Sequence, residues 1–368
     1  MIVVLHAYSD VNLGDALLVE LTVDRLRRLG VPQDEISIVA LDPTSFAELG
    51  TIVGFGTAGR AARPALVPVA IRSLITAIGK GPLRALFEQA DGFVAVGGGY
   101  LRSGNFVEQV GVAINHLPQL IGAAASPASA IYLPQSVGPL TGVSGKLLRR
   151  ELAKIDHLWL RDDTSVAELG LTNASYCPDL AVLEVADKGP AVVSPTNDVL
   201  LIARELDSGR PNYQRLLMQL ADHIDPDPIW AVQTEGATEK SDAVFYRSLG
   251  VSPAGSTAEL LESVRPAVAV SVRLHGSIMS IAAGHPSVHL SYQRKGWSAM
   301  RDLGLSEYVH DAGDFDPLLV ATQIGQIKAD PDDYWARVTA ACGDLRKASR
   351  KLDQSLTDAF DLPQNQTR

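Results

Sequence analysis

Short, continuously apolar runs recur along this chain, and most are followed by a polar loop and then an amphipathic stretch. Residues 2–7 form the first such run. A loop follows at 9–14, and residues 15–29 carry a helical period that stops at Gly30. Further apolar runs at 36–41, 92–96, 130–134 and 157–160 repeat the sequence of strand, loop and helix. Apolar residues at consecutive positions, instead of alternate ones, mark parallel strands covered on both faces. A second series of the same kind has strands at 199–203, 228–233, 267–272 and 287–291. Its helices fall at 213–224, 257–264 and 276–283, with a closing helical segment at 333–360. The pattern predicts an α/β protein of two doubly wound, Rossmann-like domains, which suits 368 residues. The expected divisions are 1–186, a proline-bearing linker at 187–198, 199–345, and a C-terminal helix and polar tail at 346–368. Such a pair of domains is expected to hold its ligand in the cleft between them, at the carboxyl ends of the strands.

Charge and composition narrow the ligand. A net charge of −10 argues against nucleic acid, which needs a broad basic surface. It leaves room for a small anion, because a few arginines set a local potential against the global sign. Two cysteines, Cys177 and Cys342, have neither disulfide-framework nor metal spacing, so a reducing cytoplasm is the expected compartment. No basic leader precedes the first strand, and the most apolar stretch, 64–78, is broken by Pro68 and Arg72; no membrane crossing is expected. Residues 49–87 stand apart, with Arg60, Arg63, Arg72, Lys80 and Arg84 and no acidic residue. Two readings of them stand: a helical insertion with solvated cations, or a peripheral contact with anionic lipid at the inner face of the membrane.

The candidate chemistry sits where strands end. Asn12 or Asp15 can cap the first helix, and Gly14 permits close backbone approach. Gly97, Gly98 and Gly99 after the strand at 92–96 are read either as a loop with accessible amides for a sugar or phosphate, or as a plain turn. Gln135 adds a polar amide at the same edge. Arg161 ends the strand at 157–160 and either points into the cleft or pairs with Asp162 and Asp163. Arg204 ends the strand at 199–203. Arg273, Leu274 and His275 end the strand at 267–272 and open a helix. A helix N-terminus attracts an anion, and a guanidinium grips carboxylate or phosphate with two parallel hydrogen bonds. The alternatives at that corner are an interdomain salt bridge for Arg273 and a packed core histidine for His275. His285 and His289, separated by Pro286, do not make a helical metal pair, and neither a metal nor a cofactor is implied.

Taken in order, the pieces resemble the polysaccharide pyruvyltransferase family. They are Asn12-Leu13-Gly14-Asp15-Ala16-Leu17-Leu18, Gly97-Gly98-Gly99, Pro134-Gln135-Ser136-Val137-Gly138-Pro139, Arg161-Asp162 with Ser165, and Pro178-Asp179-Leu180-Ala181. Arg204, Arg273-Leu274-His275, and Tyr292 with Lys295 before Leu303-Gly304-Leu305 complete the set. Tyr292-Gln293-Arg294-Lys295 departs from the Tyr-Asp-Pro-Lys pattern common in the family. The resemblance implies a fold like the GT-B glycosyltransferases. It also implies transfer of a pyruvyl group from phosphoenolpyruvate to two hydroxyls of one sugar, in a cell-envelope or extracellular polysaccharide or a glycolipid. The products are a cyclic ketal and phosphate. By the same resemblance, Arg161, Arg273, Leu274 and His275 fall on donor-binding positions, with Arg204 and Lys295 as further cations. The second domain is then the donor side, and the first presents Asn12, Gly14, the glycine run and Gln135 to a saccharide that is free or lipid-linked. His275 is the first candidate for proton transfer and Asp15 the second. Two rival readings are a nucleotide-sugar glycosyltransferase, with Glu235 or Glu262 reading a ribose, and a non-catalytic partner in polysaccharide assembly.

Overall fold

The computed structural model describes residues 1–54, 83–189, 193–206, 209–234 and 241–363. Of the cations in the 49–87 segment only Arg84 is among them, paired with Glu88 at 2.6 Å; Arg60, Arg63, Arg72 and Lys80 lie outside the described residues, as do Pro190 and Glu235. The chain forms two compact units. One contains Met1–Asp10, Asp15–Leu180 and Ala348–Arg368, and the other Val11–Gly14 and Ala181–Lys347.

The first unit is built on β1 (Ile2–Ala7), β2 (Ile36–Ala40), β3 (Thr51–Gly54), β4 (Gly92–Ala95), β5 (Gly98–Leu101), β6 (Ser129–Val137), β7 (His157–Leu160) and β8 (Ala174–Tyr176). All neighbours pair in parallel in the order β3-β2-β1-β4-β6-β7-β8, with β5 also on β6. Helices α1 (Leu13–Arg28), α2 (Arg84–Glu88), α3 (Phe106–Asn115), α4 (Leu117–Ala125), α5 (Gly142–Leu152) and α6 (Asp163–Leu169) connect or follow the strands, and α7 (Leu180–Lys188) carries the chain into the second unit. Every residue of β1, β2 and β4 is buried, including His6 and Ser37 among the apolar ones, as parallel strands covered on both faces require.

In the second unit β9 (Val199–Ile202), β10 (Ile229–Val232), β11 (Gly255–Ser256), β12 (Val268–Ser271), β13 (Ser287–Ser291) and β14 (Val309–Asp311) pair in parallel in the order β11-β10-β9-β12-β13-β14. Counted from its own first strand this is the 3-2-1-4-5-6 order of a dinucleotide-type fold. Its helices are α8 (Tyr213–Asp222), α9 (Asp242–Ser248), α10 (Thr257–Ser263), α11 (Leu274–Ala282), α12 (Arg294–Asp302), α13 (Pro317–Ala329) and α14 (Asp332–Phe360).

Two local expectations change. Helix α1 starts two residues early, because the Asn12 side chain accepts from the Gly14 amide at 3.1 Å and caps it. The glycine run is neither an open loop nor a plain turn: Gly98 and Leu101 pair with Gln135 and Val137 as a strand. Gly97 passes so close to β6 that a Cβ there would sit 2.7 Å from the Pro134 carbonyl oxygen. Only glycine lets the backbone reach that pairing position.

Helix α14 is shared. Its residues through Lys347 belong to the second unit and those from Ala348 to the first, where Leu352 and Leu356 are fully buried. There Arg25 of α1 donates to the Ser349 hydroxyl at 3.0 Å and pairs with Asp353 at 2.8 Å. Leu356→Ala should therefore cost about 3 kcal/mol of unfolding free energy, read as a lower urea midpoint; an unchanged midpoint would show that the last turns of α14 do not hold the first unit.

Candidate functional site

The strand order of the second unit reverses between β9 and β12, and ligands of doubly wound sheets bind at that reversal, beyond the carboxyl ends of the strands. Arg204 and Arg273 each lie two residues past one of these two strands. Arg273 is also the N-cap residue of α11, in extended conformation, so the free amides of the first helical turn open beside it. The Ser271 hydroxyl fixes this corner by donating to the Arg273 carbonyl at 2.7 Å and accepting from its amide at 3.1 Å.

What holds the guanidinium is Asp242, the first residue of α9, whose helix is capped by Ser241. Asp242 Oδ1 forms a buried ion pair with Arg273 Nη2. Its Oδ2 accepts from the amides of Gln233 at 2.9 Å and Thr234 at 2.8 Å, just past β10. One carboxylate thus fastens the arginine to the end of a neighbouring strand. Arg273 Nε, Gln233 Oε1 and Thr234 Oγ1 stay buried with no hydrogen-bond partner among the described residues. Arg273 therefore pairs within its own unit, not across domains.

His275 is half-buried in the first turn of α11, and Leu274 before it is buried. The imidazole lies against Gly14, where a Cβ would come 2.3 Å from Nδ1. Residues Val11–Gly14 cluster with this unit: the Leu13 amide donates to the Gln233 carbonyl at 3.2 Å, and Asn12 bridges Thr234. Asn12 and Gly14, grouped by sequence with the first domain, thus pack beside His275. Arg204 is half-buried, donates to the Tyr292 hydroxyl at 3.2 Å and stands 5.7 Å from the centre of that ring. Lys295 is half-buried in the first turn of α12. Its charge and, above all, burial lower the pKa of His289 to about 4; Nδ1 of that ring lies 3.0 Å from the Ser277 hydroxyl. His289 is thus a structural core residue, and His285 likewise lies 2.8 Å from the Pro266 carbonyl.

The first unit carries its own buried arginine. Arg161, just past β7, pairs with Asp179 through Nη1 and donates from Nε to Ser136 at 3.1 Å. Pairing with its own acidic neighbours does not occur: Asp162 instead caps α6, accepting from the amide and hydroxyl of Ser165, each at 2.8 Å. Among the described residues Arg161 Nη2 is buried without a hydrogen-bond partner, 3.5 Å from where a Cβ of Gly99 would sit, and Gln135 is fully buried with neither amide atom hydrogen-bonded. The structure therefore brings Gly98, Gly99, Gln135 and Arg161 together. Asp15 is half-buried, close enough to raise the pKa of Tyr8, which burial raises first.

Sequence reasoning missed Asp242 and a buried network at the end of β1. His6 Nε2 lies 3.0 Å from the Tyr132 hydroxyl and its Nδ1 lies 3.3 Å from His116 Nδ1, while Tyr100 stacks on His116 with centroids 4.7 Å apart. His6 has φ of 67°, a left-handed conformation rare for a side-chain-bearing residue, and its amide donates to Gln119 at 2.8 Å. Nothing in the local sequence signals a strained histidine inside an apolar strand.

Burial drives the pKa of His6 well down and that of His116 to about 4. Unfolded histidines titrate near 6.5, so between about pH 6.5 and about pH 4 the unfolded chain binds more protons. Stability present above the unfolded value is lost as pH falls through this window, by about 1.4 kcal/mol per pH unit for each such histidine. Urea midpoints across that range should show the slope, and His116→Gln should flatten it. Asp242→Asn, which strips Arg273 of its counter-charge, should cost about 3 kcal/mol or more in the same measurement; a loss under about 1 kcal/mol would mean that the pair does not hold the corner.

Comparison with known proteins fits this architecture. The model of the family described as polysaccharide pyruvyl transferase matches residues 12–294. Among curated proteins none matches the chain. Arabidopsis thaliana UGT89C1 complexed with UDP superposes with a TM-score of 0.55 at 12% identity, covering 98% of this chain and 99% of that one. The UDP-GlcNAc 2-epimerase of Neisseria meningitidis bound to UDP-GlcNAc gives 0.51 at 11% identity, covering 97% and 100%. The spinosyn forosaminyltransferase SpnP gives 0.50 at 14%, covering 98% and 99%. At such identities these structures establish the fold alone, two Rossmann-like domains of the GT-B kind. With the family model spanning both arginine corners and the glycine strand, the chain belongs to the polysaccharide pyruvyl transferase family.

Proposed function

We propose that the protein transfers the pyruvyl group of phosphoenolpyruvate to two hydroxyls of a saccharide, in a cell-envelope or extracellular polysaccharide or a glycolipid, and does so in the cytoplasm. The observation that carries this reading is the pair Arg204 and Arg273 at the strand-order reversal, beside the N-terminus of α11. Two cations and a row of helix amides suit a small molecule bearing both carboxylate and phosphate. Arg161, held by Asp179, and Lys295 are the further cations assigned to the donor.

In the proposed reaction a proton is delivered to the donor's methylene carbon, which becomes a methyl group. The first sugar hydroxyl adds to the neighbouring carbon. The carbon–oxygen bond to phosphate then breaks, with its electron pair leaving on the phosphate, and the second hydroxyl closes the ketal ring. Of the two hydroxyl protons released, one replaces that given to the methylene and the other leaves with phosphate. Arginine-bound phosphate is the better leaving group because its growing charge is met by fixed donors. His275 is assigned the proton delivered to carbon, since its imidazole can both give and take a proton and lies against Gly14 in the first turn of α11. Asp15 is the second residue assigned to proton transfer.

Incubation with phosphoenolpyruvate and a panel of galactosides, glucosides and mannosides should release phosphate and raise the mass of one acceptor. His275→Gln should lower kcat by about 100-fold or more with little change in donor KM. Arg273→Lys, which loses the two-pronged grip, should raise donor KM about tenfold. A rise in donor KM alone for His275→Gln would remove its proton-transfer role. Calorimetric binding of a nucleotide sugar, with none of phosphoenolpyruvate, would overturn the whole reading.

A further inference from the structure

Among the described residues the three most exposed large apolar side chains are Phe106, Val107 and Val143, at 79%, 78% and 73%, against 62% for the next, Leu318. All three lie in the first unit, at the starts of two helices that touch. Phe106 and Val107 open α3, which Asn105 caps by accepting from the Glu108 amide at 2.9 Å. Val143 opens α5. The two helix starts are joined where Ser144 donates to the Gln109 carbonyl at 3.1 Å and Gln109 reaches Thr141 at 3.5 Å.

Helix α5 has two distinct faces. Gly145, Leu148 and Leu152 are buried in the unit. Val143, Lys146, Leu147 and Arg150 follow the i, i+3, i+4, i+7 spacing of the opposite face, where Val143, Lys146 and Arg150 are exposed and Leu147 is half-buried. From Leu140 to Lys154 the chain has four cations, Lys146, Arg149, Arg150 and Lys154, and a single carboxylate, Glu151, in a protein whose net charge is −10. That carboxylate is buried and shared by Arg150 and Lys154 at 2.5 and 2.6 Å, so the outer face keeps an excess of positive charge. Glu108, the nearest acid on α3, is neutralised by Arg102 at 2.7 Å.

We propose that this rim of the first unit, Phe106, Val107 and Val143 with Lys146 and Arg150, seats on an anionic lipid surface. An aromatic and two aliphatic side chains projecting beside cations are the features that bind the head-group boundary of a bilayer, where apolar insertion and charge attraction add. Charge decides against a second copy of this chain: a two-fold contact through the patch would set its cations against themselves. The same sign sets it apart from the basic 49–87 segment as a covering partner. This surface does not depend on the proposed pyruvyl transfer, although it would bring a lipid-linked acceptor to the unit that carries β5 and Gln135.

The test is co-sedimentation of the full chain with vesicles of phosphatidylcholine alone and of phosphatidylcholine with phosphatidylglycerol. Binding to the anionic vesicles is expected, reduced about tenfold or more by Phe106→Ser/Val107→Ser/Val143→Ser and, separately, by Lys146→Gln/Arg150→Gln. The first variant should keep its urea midpoint, and phosphate release with a soluble acceptor should be unchanged, which separates this inference from the activity itself. No pelleting above the vesicle-free control, or equal pelleting with both vesicle types, would overturn it. So would binding lost on reversal of Arg60, Arg63 and Arg72 but not in the rim variants, or a dimer in sedimentation equilibrium that the serine variant dissolves.

Discussion

A guanidinium carried into the end of a covered parallel sheet loses its water and needs a carboxylate to replace it. In the second unit that carboxylate is Asp242, and in the first it is Asp179. Each pair is buried, and each acid comes from a different segment than its arginine. An ion pair of this kind contributes little net stability, because desolvation consumes most of the attraction. What it contributes is aim. A guanidinium has five N–H donors, and one carboxylate engages only part of that set. The remaining donors keep a fixed direction in a surrounding of low dielectric, which strengthens their pull on an incoming anion. Arg273 Nε and Arg161 Nη2 are the donors left in this way among the described contacts.

The rest of each site follows from the sheet. Parallel strands covered on both faces place all their carboxyl ends on one side, and the reversal of strand order opens a gap there that no crossover helix fills. In the second unit the gap falls between β9 and β12, so the residues just past those strands, Arg204 and Arg273, flank it without any special loop. Helix α11 starts at once after Arg273, which brings its amides to the same gap. Packing then selects the neighbours: the missing side chain of Gly14 leaves room for the His275 ring.

Much of this was legible in the residues. Short apolar-rich segments predict β1 and β13 over the residues they occupy, and an arginine after a strand predicts a polar corner. Partnership was harder. Arg161 has two acidic neighbours in sequence, yet it reaches Asp179, because Asp162 is committed to the amides of α6. Asp242 follows a stretch with no apolar period, so nothing local distinguishes it from a solvated acid; its role depends on β10 and β12 lying on either side of β9. The glycine strand β5 escaped for a related reason: three glycines have no strand propensity, and only the close passage of Gly97 by Pro134 makes pairing available. The affinity of the chain for its family came from many weak pieces in a fixed order, which no single contact could have supplied.

The sharing of helix α14 has a consequence for how the molecule is made. The first unit receives Leu352, Leu356 and the partners of Arg25 from a helix that follows the second unit in sequence. Synthesis from the N-terminus delivers the strands described in that unit before the second unit, and these turns after it. The first unit therefore begins before the second and is completed after it. Until those turns are made, the apolar surface that Leu352 and Leu356 cover has the whole second unit still to wait for.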